Sequence, residues 1–181
     1  MKRKELFYWV VLASFALIAL ISLSYILISQ NFFGKLVLGK KTQGNGAFYI
    51  EADREVLVST MFKAQIIADS DNQAANAVAL FVSFDPDKLS IVNVDTSKSF
   101  CQFYPVNKFN DTKGTISIEC GSPSPGFKGQ NTIAEITFMA KTVGETKIKI
   151  SENSLILLND GKGTNIFSQP SEQTVMIVNH I

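Results

Sequence analysis

Few residues in this chain have the types and spacing that do chemistry. The only histidine, His180, lies one residue from the C-terminus, where it reads as solvated. No second histidine remains for a Ser-His-Asp or Cys-His arrangement. Glycosidase-like work needs two carboxylates flanking one bond, but Glu119 and Glu135 fall at outward positions of alternating segments. Asn159-Asp160-Gly161-Lys162-Gly163-Thr164-Asn165 places oxygens at alternate positions, faintly like a calcium loop. It lacks the later bidentate Glu of such loops and reads as a Gly-rich turn. Asp85 and Asp87 flank Pro86 and read as turn caps. The expectation is no catalytic residue, no metal and no cofactor.

Cys101 and Cys120 are the only cysteines. No second Cys or His stands near either at metal-ligand spacing. In an oxidising compartment they would form a disulfide, closing a loop of about 20 residues and adding roughly 3 kcal/mol. Two buried free thiols are the alternative. Tyr49, Phe103, Tyr104, Phe109 and Phe127 would supply a sugar-stacking platform if they lined one face, and core packing is the competing use. The chain's one Trp, Trp9, lies far from them. Asn110-Asp111-Thr112 fits the N-glycosylation pattern.

The elements that must position these residues are strands. Residues 47–52, 61–68, 77–84, 89–94, 116–120, 132–140, 144–150, 155–158 and 174–178 are apolar at alternate positions or throughout. Residues 100–105 are a short aromatic stretch, and 107–114 read as a polar turn. Residues 77–84 are apolar on both parities, as in a strand covered on both sides. Nine strands spaced by roughly 8 to 12 residues, with no amphipathic helix between them, predict an all-β sandwich of Greek-key or jelly-roll type.

Residues 6–28 carry no charge. A bilayer core needs about 20 helical residues, so this run is long enough to span one. Lys2, Arg3 and Lys4 precede it, as expected for a cytoplasmic N-terminus, although Lys35, Lys40 and Lys41 follow it. A cleaved signal peptide would have a shorter apolar core, of about 7 to 15 residues. The organisation expected is a cytoplasmic N-terminus (1–5), a single-pass transmembrane anchor (6–28), a tether (29–45) and an extracytoplasmic domain (46–181). Lys40 to Gly46 is polar and Gly-rich, the composition of a flexible linker. From residue 46 onward the chain holds eleven Lys and Arg against fifteen Asp and Glu, a net of −4. Nothing in it has the basic-aromatic pattern of nucleic-acid binding.

Val82-Ser83-Phe84-Asp85-Pro86-Asp87-Lys88-Leu89, followed by Ile91 and Val94, resembles the strand, Asp-Pro turn and next strand of a cohesin domain. Gly114-Thr115-Ile116-Ser117-Ile118, Ile133 to Ala140 and Gly144 resemble later strands of that family. The likeness spans roughly residues 47–179, and related carbohydrate-binding modules share much of it. It implies a nine-stranded jelly roll that is not an enzyme. One sheet face, built from the family's third, fifth, sixth and eighth strands, would grip a protein partner, the calcium-loaded dockerin module of a secreted enzyme or surface protein. The resemblance places Ala77, Ala79, Phe81, Ser83, Thr115, Ser117 and Glu119 on that face. Ala77 and Ala79 stand where the family carries polar residues, leaving a small apolar strip with Phe81. Such strips often mark protein contacts, with aromatic residues as anchors, and cover by the tether or a loop is the alternative. Polysaccharide binding, or a structural role in a cell-envelope complex, are the alternatives.

Overall fold

The computed structural model describes residues 41–180, with side chains from residue 44 onward. The expected anchor at 6–28 lies outside the described residues. Among those described there is no helix. Twelve strands follow in order: β1 (Lys41–Ala52), β2 (Glu55–Leu57), β3 (Met61–Asp69), β4 (Ala75–Ser83), β5 (Leu89–Asp95), β6 (Phe103–Asn110), β7 (Thr115–Gly121), β8 (Gln130–Ala140), β9 (Gly144–Ile150), β10 (Leu155–Leu158), β11 (Asn165–Phe167) and β12 (Glu172–Val178).

The strands form two layers. The back sheet is β1-β3-β8-β5, antiparallel throughout. In the front sheet β4 is central, with β7 and then β6 on one side. On its other side β9 pairs Val82 and Ser83, while β10 pairs Ala75 to Ala79. β12 and β2 extend the sheet beyond β9, and β11 and the start of β1 extend it beyond β10. β1 therefore belongs to both layers.

Alternation explains the layering. Val78, Leu80 and Val82 of β4 are buried, as are Ile116, Ile118 and Cys120 of β7. They meet Phe62, Ala64 and Ile66 of β3 and Ala134, Ile136 and Phe138 of β8 in one core. Phe138 packs on Phe62 and Phe84, with ring centroids 5.7 and 5.2 Å away. Burying one such side chain is worth about 1.5–3 kcal/mol. The inward set Leu89, Ile91 and Val94 breaks strict alternation. A bulge between Ile91 and Asn93 inserts one residue and returns Val94 to the core side.

All nine expected strands are present, and β2, β6 and β11 are additional. Residues 107–110, expected in a polar turn, belong instead to β6, and the turn is confined to Asp111–Gly114. β6 is an edge strand exposed along most of its length, so no hydrophobic period marks it. The second difference lies at the start of the domain. Lys41–Gly46, expected as flexible tether, is the first half of β1 and pairs in parallel with β11. A Cβ on Gly44 would stand 2.4 Å from the Ile166 Cβ, and one on Gly46 2.9 Å from its Cγ1. These glycines permit close strand approach rather than looseness.

Candidate protein-binding face

Register places all seven expected contact residues on the outer surface of the front sheet. Ala77, Ala79, Phe81 and Ser83 stand opposite Gly121, Glu119, Ser117 and Thr115 of β7. Directly opposite residues share a face. The same rows continue onto β6, where Val106, Lys108 and Asn110 stand opposite Glu119, Ser117 and Thr115. On the other side Leu155 and Leu157 of β10 stand opposite Ala79 and Ala77, and Lys149 of β9 stands opposite Ser83.

The middle of this face is low. Ala77, Ala79 and Gly121 have little or no side chain, while Leu155 and Leu157 rise along one side. Val106 and Phe103 rise along the other. Phe103 leans over Gly121, where an added Cβ would be 2.5 Å from its ring. Phe103 is 51% exposed. The result is a shallow apolar trough ending at Phe81, a half-buried ring.

Phe81 sits where β9 and β10 diverge along one edge of β4, and a turn fills the gap. Its N–H donates to Ser154 Oγ at 3.1 Å, and its carbonyl accepts from the Ser151 N–H at 2.8 Å. Ser154 is fully buried, and its own N–H donates to the Ser151 carbonyl. Sequence reasoning missed Ser151, Ser154, Leu155, Leu157, Val106 and Lys108 as parts of the face. The available signal was Leu155–Leu158, apolar on both parities like β4 itself.

Charges divide the face. Lys147 donates to Glu172 at 2.6 Å, and Lys149 lies 3.7 Å from the same carboxylate. The hydrogen bond from Lys147 holds the Glu172 carboxyl below its ordinary range. The side chains of Glu119 and Lys108 have no hydrogen-bond or ion-pair partner among the described residues.

The other candidate groups are accounted for locally. Glu119 lies on the front sheet and Glu135 on the back sheet, so they do not flank one bond. Asp85 Oδ1 accepts from the Asp87 N–H, and the Asp85 carbonyl accepts from Leu89. Asp160 accepts from the Thr164 hydroxyl and the Lys162 N–H, and these bonds lower its pKa. Among the described residues no three His, Cys, Asp or Glu side chains are placed to hold a metal ion. The five aromatic residues do not form one row. Phe127 is buried against Phe100, Tyr49 is on the back sheet, and Tyr104 donates to the Thr96 carbonyl. Phe103 and Phe109 project to opposite faces of β6. His180 is exposed. Asn110 of the glycosylation pattern is exposed on β6.

Cys101, just before β6, and Cys120 of β7 are joined in the structure, with Cα atoms 5.7 Å apart. Gln102 N–H donates to the Gly121 carbonyl beside them. The pair fixes the connection from the back sheet to the outer edge of the candidate face.

No protein-family model and no curated protein matches the sequence. Solved structures do. A cohesin module from a family 33 glycoside hydrolase of Clostridium perfringens superposes with a TM-score of 0.64. The match covers 77% of this chain and 100% of that module at 13% identity. The domain has a cohesin-like fold. CaCohA2 from Clostridium acetobutylicum matches with a TM-score of 0.61 at 12% identity, over 76% of this chain and 93% of that one. A non-cellulosomal cohesin of the archaeon Archaeoglobus fulgidus matches at 0.54 and 15% identity, over 73% and 91% of the two chains. CaCohA2 is also known in a complex with CaDoc0917.

Proposed function

We propose that this chain is a non-catalytic receptor. Residues 6–28 hold it in a membrane, and its extracytoplasmic cohesin-like domain captures a protein partner on the outer face of β6, β7, β4 and β10. The observation that carries this proposal is the low strip of Ala77, Ala79 and Gly121 between Leu155, Leu157 and Phe103, ending at Phe81 with Glu119 set beside it. The complex of CaCohA2 with CaDoc0917 supports a partner of dockerin type. A partner-bearing enzyme or surface protein would thereby be held at the cell surface. The uncharged length of residues 6–28 supports the anchor, and Cys101–Cys120 suits an oxidising compartment.

Capture from the host's own secreted proteins tests this function, with the full chain immobilised in detergent and calcium or chelator present. Retained proteins that carry paired calcium loops, and that are lost on chelation and on Phe81→Asp, are the expected result. Retention indifferent to Phe81→Asp would remove the face from the proposal. Retention of the same proteins with and without calcium would remove the dockerin.

A further inference from the structure

On one side of the sandwich both sheets end in a strand with no further neighbour among the described residues. These are β6, beyond β7 in the front sheet, and β5, beyond β8 in the back sheet. Two bridges join the edges. Asp111 Oδ1 accepts from the Ile91 N–H at 2.7 Å, and the Tyr104 hydroxyl donates to the Thr96 carbonyl at 3.4 Å. Open edges are liable to pair with other chains, and proteins blunt them with proline, lysine and bulges. Pro105 and Lys108 of β6 and the bulge between Ile91 and Asn93 are such devices. Even so, Phe109, two residues before Asp111, and Val92, next to Ile91, remain exposed.

Asn110-Asp111-Thr112 stands at the corner where these edges meet, and no other Asn in the chain has Ser or Thr two residues on. Asp111 is tied to the back sheet, while Asn110 and Thr112 are exposed. Asn110 Oδ1 accepts from the Lys113 N–H at 2.9 Å, so the turn orients the amide. Its Nδ2 has no hydrogen-bond partner among the described residues, and neither has the Thr112 hydroxyl. An amide and a hydroxyl, both free at a surface turn, are what the acceptor pattern for N-linked sugar requires. Accepting the extracytoplasmic placement proposed above, we infer that Asn110 carries an N-linked oligosaccharide. The donor is an oligosaccharide carried on a polyprenyl phosphate. Asn110 Nδ2 forms a bond to the anomeric carbon of the first sugar and gives up one proton. The bond from that carbon to the phosphate oxygen breaks, and the phosphate leaves with the electron pair. A bulky, solubilising glycan at this corner shields the open side and keeps β5 and β6 from pairing with another chain. Asn110 stands opposite Thr115, at the end of β6 away from Gly121, so the Ala77 end of the candidate face stays clear.

Peptide mass measurement tests this on the full chain, purified in detergent from the membranes of its own host. Trypsin cleavage after Lys108 and Lys113 isolates the peptide 109–113. The native chain should yield this peptide with sugar mass on Asn110. Thr112→Ser should keep the sugar, and Asn110→Gln and Thr112→Ala should each lose it entirely. An unmodified peptide from the native chain, or an added mass that survives Thr112→Ala, overturns the inference. Light scattering in detergent reads the shielding, since Asn110→Gln should associate where the native chain stays monomeric. Equal behaviour of the two removes the shielding role. The outward placement is judged separately, by labelling intact cells with an amine reagent that does not cross membranes. Labelling of the exposed Lys128 with an unmodified Asn110 would remove the glycan alone. An unlabelled Lys128 with an unmodified Asn110 would remove the placement as well.

Discussion

On the back sheet Lys63 donates to Glu135, and beside them Gln65 donates to Thr132 at 2.7 Å. These outward polar groups answer one another across β3 and β8. On the front sheet the β9–β12 side resembles it, with Glu172 shared by Lys147 and Lys149. Around β4 the pattern changes to alanines, a glycine, half-buried leucines and a lysine and glutamate held apart. The back sheet thus pairs its central lysine and glutamate, whereas the front sheet leaves Lys108 and Glu119 out of contact. Composition does not separate them, because each has Lys, Glu and apolar residues. The side-chain contacts do: Lys63 reaches Glu135, and Lys108 does not reach Glu119.

The largest expected effect tests the staple beside that region. Converting Cys101 and Cys120 to Ser should lower unfolding stability by roughly 3 kcal/mol, read as a shift in the urea midpoint. Amide exchange should then accelerate first in β6 and β7, with β3 and β8 still protected. Uniform acceleration across both sheets would mean that the bond serves the whole domain. Mass measurement after thiol alkylation, with and without prior reduction, checks the bond itself. Alkylation of both cysteines without reduction would show free thiols.

The next effect falls on binding. Phe81→Asp should weaken capture by about 2 kcal/mol or more, roughly thirtyfold, as for an aromatic anchor. Tyr49→Asp, an equally drastic change on the back sheet, should leave capture unaltered. Circular dichroism and the melting temperature guard against simple misfolding. If both substitutions weaken capture alike, the contrast between the faces has no functional meaning. A smaller change sits beneath Phe81. Ser154→Ala removes the acceptor of the Phe81 N–H and should cost about 1 kcal/mol of stability, and it should loosen the turn from Ser151 to Ser154.

Much of this contrast was legible in the sequence. Alternation through β4, β7 and β8 gave the correct inward and outward residues, because each of these strands has one face against the core. The cohesin resemblance then brought Ala77, Ala79, Phe81, Ser83, Thr115, Ser117 and Glu119 onto one sheet face, where register places them. Their partner-binding role is a separate matter, which the capture experiments address. What stayed hidden depends on neighbours rather than on period. β6 has no buried face to impress a pattern on Phe103 to Asn110. Gly44 and Gly46 look like linker residues until Ile166 is seen against them. Nothing local reveals that β9 and β10 share one edge of β4, so the Ser151–Ser154 turn could not be assigned to Phe81.

The smallest effect bears most directly on the two Lys–Glu pairs. The hydrogen bond to Glu135, then the charge of Glu135, raises the Lys63 pKa above its ordinary 10.5. A cation whose folded pKa is raised contributes its stability fully below the unfolded value and loses it as pH rises through the folded value. Wild type should therefore melt slightly above Glu135→Gln at neutral pH. The gap should stay constant up to about pH 10 and close above it, and added salt should shrink it because both groups reach solvent. Lys108→Gln and Glu119→Gln should show no coupling in melting temperature at neutral pH, since the two side chains make no contact. A coupling there equal to that of Lys63 and Glu135 would mean that the front pair closes in solution, and the region around β4 would then match the back sheet.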